Sequence, residues 1–433
     1  MNIGVFGTGY VGLVAGACFA ESGNDVVCVD IDAAKVAKLR QGEIPIYEPG
    51  LPEMIERNMR EERLTFTTDF EAAVRKSFIL FIAVGTPTAP NGAADLSAVF
   101  NVARDIGRCM DRYKLIVTKS TVPVGTGEKV REVVSGQTRH PFDVASNPEF
   151  LKQGAAVEDF MKPDRVVVGA DDVRAAEILR DLYAPFVRTG SPVLIMDIRT
   201  AEMVKYAANA FLAARISFMN EIANLCEEVG ADVNMIRTGM AADARIGPAF
   251  LFPGVGYGGS CFPKDTKALI QTGRENNYAM RILEAVDAVN TDQADRFVSK
   301  IRKHFGKDAG DKRVALWGLS FKPRTNDMRE APALKIIDAL LADGISVVAY
   351  DPEAMDEARR HVGDRIQYAT NNYGCLEGAD ALVVVTEWQV FHNPNFERMK
   401  AMMRDAVVFD GRNIFDPDHI RQLGFTYYGI GRS

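Results

Sequence analysis

The chain has no run approaching the roughly 20 consecutive apolar residues of a membrane span, so no transmembrane helix is expected. It has no basic stripe either. A net charge of -7 is spread along 433 residues, which argues against nucleic acid as the main partner. Cysteine is sparse. The six cysteines (Cys18, Cys28, Cys109, Cys226, Cys261 and Cys375) form no C-x-x-C pair and no dense framework, a spacing that suits reduced thiols better than disulfides or zinc. No basic n-region precedes the first residues. Met1-Asn2-Ile3-Gly4-Val5-Phe6 already read as a buried strand, so a cytoplasmic protein without a targeting segment is expected.

What is present is ordinary globular composition, with 47% hydrophobic and 25% charged residues. The length fits two or three domains at roughly 150 residues each. Ile3 to Phe6, Val26 to Val29, Phe78 to Val84, Leu115 to Val117 and Val166 to Val168 are near-continuous apolar runs. Strands buried on both faces of a parallel sheet look like this, and right-handed helical crossovers should connect them. From Thr200 to Val229 neither proline nor glycine interrupts the sequence, which predicts a helix of about 45 Å. Strand-like runs resume at Val314 to Leu319, Val347 to Tyr350, Ala381 to Thr386 and Ala406 to Phe409, after an apparent exposed linker from His304 to Asp311. The expected fold is α/β, with two Rossmann-like doubly wound domains (residues 1–198 and 307–433). Residues 199–306 would form a central helical region with surface to spare for a second subunit.

Gly7-Thr8-Gly9-Tyr10-Val11-Gly12 follows the first strand and opens a helix. In such a turn Gly7 permits the bend, Gly9 lets a pyrophosphate approach, and Gly12 packs helix on strand. Asp30 ends the next strand, placed to accept hydrogen bonds from a ribose and so to favour NAD over NADP. Val84-Gly85-Thr86-Pro87, Lys119-Ser120-Thr121-Val122-Pro123 and Asn147-Pro148-Glu149-Phe150-Leu151 each follow a strand candidate, where cofactors of open α/β sheets lie. The second α/β unit lacks the fingerprint. It has one glycine in Trp317-Gly318-Leu319-Ser320, with Lys322, Arg324 and Arg329 near enough to hold an anionic nucleotide or to form a solvated loop.

Cys261 lies in Gly256-Tyr257-Gly258-Gly259-Ser260-Cys261-Phe262-Pro263-Lys264-Asp265, unlike the other five cysteines, whose apolar or helical surroundings assign them to packing. A thiolate beside a dinucleotide site suits an oxidation that carries an alcohol past the aldehyde, because an aldehyde donates hydride well only after a nucleophile has added to it. Lys205 and Asn209 share one helix face at i and i+4. The residues alone leave open an oxyanion stabiliser or a solvated surface.

Taken together, these motifs resemble the UDP-glucose dehydrogenases within the nucleotide-sugar dehydrogenase family. The resemblance runs the length of the chain through GTGYVG, IPIYEPGL, GTP, KSTVPVGT, NPEFL, EMVKYAANAF, GYGGSCFPKD, FKPRTNDMRE and DGRN. IPIYEPGL and FMKPDRVVVG favour the UDP-glucose branch over GDP-mannose. The resemblance implies oxidation of the sugar C6 hydroxymethyl to a carboxylate with two NAD and one water. Cys261 would be the nucleophile, Lys205 and Asn209 would stabilise the oxyanion, and Asp265 with Thr121 and Glu149 would handle the water. Val11, Asp30, Lys35, Thr86, Thr121, Gln153, Lys264 and Arg329 would fall to NAD. The sugar nucleotide would take Glu149, Phe150, Leu151, Lys152, Gln153, Lys205, Asn209, Phe250, Leu251, Phe252, Pro253, Gly254, Gly258 and Lys322. Arg245 would reach the substrate of a partner across a homodimer interface, and no metal is implied.

One departure stands out. Where members usually carry a glutamate, four residues after Glu149, this chain has Gln153, which cannot act as a base. Gln153 should therefore only position cofactor or water. The nearest enzyme alternative keeps the chemistry on a UDP-N-acetylhexosamine or GDP-mannose. The alternative of another class is a single-oxidation 3-hydroxyacid dehydrogenase-like protein or an inactive nucleotide-binding module, neither of which needs Cys261.

Overall fold

The computed structural model describes residues 1–188 and 190–432, and the side chains of residues 307 and 308 lie outside the description. It divides into two compact units, Met1–Ala208 and Asn209–Ser433.

The first unit is built on eight strands: β1 (Asn2–Phe6), β2 (Asp25–Val29), β3 (Leu64–Thr67), β4 (Ile79–Ile82), β5 (Lys114–Thr118), β6 (Phe142–Ser146), β7 (Val166–Ala170) and β8 (Val193–Met196). They lie in the order β3-β2-β1-β4-β5-β6-β7-β8. The first six follow the doubly wound dinucleotide-binding order, with the reversal between β1 and β4. Apolar side chains leave both faces: Val5 and Phe81 point into one core, Phe6, Leu80 and Ile82 into the other. The expected all-parallel sheet needs one correction, because β7 pairs antiparallel with β6. The only helix between them is Ala156–Met161. At six residues and about 9 Å it is too short to carry the chain back for a parallel start.

The second unit contains β9 (Arg313–Trp317), β10 (Ser346–Tyr350), β11 (Gln367–Tyr368), β12 (Ala381–Val384), β13 (Val407–Asp410) and β14 (Thr426–Tyr428). Their order, β11-β10-β9-β12-β13-β14, repeats the same winding, here with every pair parallel. A helix of 32 residues, Ile198–Val229, carries the division between the units and spans about 48 Å. His304–Asp311 is only in part the exposed linker the sequence suggests, with Gly306, Gly310 and Asp311 exposed. Phe305 ends the helix Arg281–Phe305 and is buried in the second unit's core, and a 3-10 turn, Gly306–Asp311, leads into β9.

Candidate active site

In the first unit the turn after β1 shows three different uses of glycine. Gly7 has φ +101°, and a Cβ there would stand 2.7 Å from the Ala83 carbonyl oxygen. A Cβ on Gly12 would lie 1.9 Å from the Gly7 carbonyl oxygen, so the helix Tyr10–Glu21 can approach the strand only without one. Gly9 faces open space. An open backbone at a helix N-terminus fits a pyrophosphate. Asp30, directly after β2, accepts hydrogen bonds from the Thr8 N–H and from Lys35 Nζ, both at 3.0 Å. Burial pushes its carboxyl up, but hydrogen bonds from Thr8, Asp32 and Lys35 outweigh this and bring it down to about 2. Thr86 Oγ1 donates to the Thr121 carbonyl oxygen at 2.9 Å, joining the turns after β4 and β5.

Glu149 and Lys205 form a buried ion pair at 3.2 Å. Glu149 also accepts from the Leu151 N–H at 2.6 Å, and Lys205 stands 5.2 Å from the Phe150 ring centroid. Behind them a small cavity is lined by Lys119, Asn147, Glu149, Phe150, Arg165 and Tyr183, among others. Lys119 is fully buried and donates to Asn147 Oδ1 (3.0 Å) and Tyr183 Oη (3.2 Å). Burial brings its ammonium down to about 8; the Glu149 carboxylate opposes that shift and the Lys205 charge adds to it.

In the second unit Cys261 is the N-terminal cap of the helix Phe262–Glu275, half-buried. The helix end and Arg329, whose charge reaches the sulfur, both present positive potential to it. Asp265, one turn on, is buried. Its carboxylate accepts from Asn209 Nδ2 and from Lys264 Nζ, each at 2.6 Å. The glycines before the cysteine are there for close approach. A Cβ on Gly258 would lie 2.2 Å from the Glu330 carbonyl oxygen, and one on Gly259 (φ +85°) 2.8 Å from the Phe321 ring. Gly259 N–H donates to the Arg329 carbonyl at 2.8 Å. The loop is thus cast against residues 321–331. Gly254, likewise, is held by Asn220 (2.8 Å) and Gln293 (2.9 Å).

Residues 1–187 match the NAD binding domain of the UDP-glucose/GDP-mannose dehydrogenase family, 199–292 its central domain and 315–417 its UDP binding domain. The chain belongs to that family. It is 47% identical over 433 residues to the UDP-glucose 6-dehydrogenase TuaD of Bacillus subtilis, covering 100% of this chain and 93% of that one. It is 47% identical over 442 residues to the UDP-glucose 6-dehydrogenase of Pseudomonas aeruginosa, covering 100% and 98%. Among solved structures, a UDP-glucose dehydrogenase from Pyrobaculum islandicum matches with a TM-score of 0.92 at 39% identity, covering 100% of this chain and 98% of that one. A UDP-D-ManNAc dehydrogenase from Pyrococcus horikoshii matches at 0.88 and 27%, covering 100% and 99%.

Within this dehydrogenase the sequence-predicted residues fall into distinct groups. Glu149 meets Lys205; Asp265 meets Asn209 and Lys264; Asp30 meets Lys35. The open choice for Lys205 and Asn209 is decided against a solvated surface, since both are buried. Phe250 packs edge-on against Phe262, with ring centroids 6.0 Å apart, while Leu251, Pro253 and Gly254 are buried and Phe252 is exposed beneath Arg237. Lys322 lies over the Phe321 ring, Gln153 is half-buried, and Lys152 pairs with Asp159 at 3.0 Å. Arg245 is 89% exposed and paired with Asp243. Among the described residues no His/Cys/Asp/Glu cluster could hold a metal.

Three buried residues escaped the sequence reading. Lys119, Glu48 and Glu202 lie inside KSTVPVGT, IPIYEPGL and EMVKYAANAF, where the sequence alone marks none of them as buried. Glu202, one turn before Lys205, accepts from the Gly125 and Gly127 N–H groups at 2.7 and 2.8 Å. Burial raises its carboxyl to about 7 against those bonds.

Proposed function

We propose that this dehydrogenase oxidises UDP-glucose to UDP-glucuronate, taking up one water and releasing two NADH. The observation that carries the reading is Cys261 at a helix N-terminus beside the Lys264–Asp265–Asn209 network. Bound at the first unit, NAD supplies the acceptor for a hydride in each of two turns. Its residues in that unit would be Gly7, Gly9, Val11, Gly12, Asp30, Lys35, Thr86, Thr121 and Gln153; we also assign Lys264 and Arg329 to NAD. In the first oxidation the C6 hydroxyl gives its proton to one of the candidate bases, Asp265 or Glu149, and C6 loses a hydride, leaving an aldehyde. The Cys261 thiolate then adds to that carbon, and Lys205 and Asn209 stabilise the oxygen's negative charge. Loss of the second hydride leaves a thioester. Asp265 or Glu149, with Thr121, orients and deprotonates the attacking water, which displaces the thiolate and yields the carboxylate. Gln153 cannot accept a proton and only positions cofactor or water.

The substrate assignment rests on relatives named UDP-glucose 6-dehydrogenase at 47% identity, against 27% for the UDP-D-ManNAc enzyme. We assign residues 1–198 to NAD, 199–306 to the central catalytic region and 307–433 to the sugar nucleotide. We also propose a homodimer. Phe211, Phe218 and Leu225 recur every seven residues on the long helix and are 64%, 49% and 55% exposed, a stripe a second copy can match. Arg245 would reach the partner's substrate. We also propose a cytoplasmic location, which six cysteines free of disulfides support; no described helix is long and apolar enough to cross a membrane.

Two NADH per UDP-glucose, and no more than one from Cys261→Ser despite retained sugar-nucleotide binding, is the expected result. Full turnover by Cys261→Ser would overturn the covalent mechanism.

A further inference from the structure

Glu48 is a buried carboxylate that no step above uses. One of its oxygens accepts from the Tyr10 hydroxyl and from the Gly154 N–H at 2.6 Å, and the other accepts from the Ala156 N–H at 2.8 Å. These donors come from two functional segments. Tyr10 opens the helix after Gly9 and so belongs to the dinucleotide turn. Gly154 and Ala156 close the loop that starts at Glu149, whose other end is fixed by the Glu149–Lys205 pair and the Leu151 N–H. In a buried network each bond supports the others, so loosening one donor weakens the rest.

We propose that Glu48 is a positioning residue that couples the two binding sites: filling the NAD site tightens binding of the sugar nucleotide. The proposal rests on the readings of the Gly7–Gly12 turn and the Glu149–Gln153 loop given above. A nucleotide held by backbone N–H groups at Gly9 and Tyr10 restrains the first helical turn. The Tyr10 hydroxyl passes that restraint to Glu48, which orders the end of the sugar loop. Removing the hydroxyl cuts the link and leaves both sites their own contacts.

The test is calorimetric titration of UDP-glucose into wild type and Tyr10→Phe, each with and without saturating NADH, which fills the site but accepts no hydride. NADH should raise wild-type affinity at least about 5-fold, and in Tyr10→Phe that ratio should fall to within about 2-fold of unity. Glu48→Gln should lower the ratio in the same direction; if it does not fold, Tyr10→Phe decides alone. A wild-type ratio of one, or a ratio unchanged in Tyr10→Phe, overturns the coupling. A wild type that makes no NADH from UDP-glucose instead sinks the functional reading and takes the coupling with it.

Discussion

Asp30 and Asp351 occupy equivalent places, each directly after the second strand of a doubly wound sheet, yet they are spent differently. Asp351 is fully buried and accepts from the Leu319, Ser320, Glu353 and Ala354 N–H groups and from Trp388 Nε1. It staples the turn after β9, so nothing is left for a ribose. Asp351→Ala should therefore cost stability, more than about 3 kcal/mol in urea melts, because several buried donors lose their acceptor. Asp30→Ala should instead raise the KM for NAD about tenfold or more, with a smaller loss of stability than Asp351→Ala. Since the Asp30 carboxyl is held below its ordinary value, its contribution to stability is present above about pH 4 and is lost as pH falls toward 2. Gln153→Glu should move the pH optimum little; a large shift would make that position a base.

At the scale of elements, the buried parallel strands were legible because burial on both faces leaves near-continuous apolar runs. Leu64–Thr67, Phe142–Ser146 and Gln367–Tyr368 were not, since Thr65, Asp143 and Gln367 break the run and edge or end positions tolerate them. The reversal of β7 was equally unreadable, because a strand's composition carries no direction. The glycine-dense cysteine loop was recognised, but its cause was not: the atoms that exclude side chains there come from residues 321–331, far along the chain. The same holds for Glu48 and its donors at Gly154 and Ala156. Glu202 gives this scale its pH prediction. It ties the start of the long helix to the N-terminus of the helix Thr126–Ser135, and its carboxyl is raised to about 7. Its stabilising contribution is complete below about pH 4.5 and declines as pH rises through 7. Wild type should lose about 2–3 kcal/mol between pH 5 and 8 from this group, most of it before pH 7. Glu202→Gln should flatten that slope, and an equal slope in both proteins would refute the assignment.

For the whole molecule, the exposed stripe on the long helix leads to an expectation about assembly. Phe218→Glu should shift sedimentation from dimer to monomer and lower turnover, as sites lose the partner's Arg245; an intact dimer would move the interface elsewhere. The reactive sulfur, meanwhile, takes its place from a mould rather than from its own loop. Phe321, Glu330 and Ala331 shape the backbone that ends in Cys261, although none of the three supplies the thiol chemistry. Efforts to retrain this enzyme on other sugars should therefore leave that trio untouched, since a bulkier or smaller ring there would displace the nucleophile without altering a single reacting group.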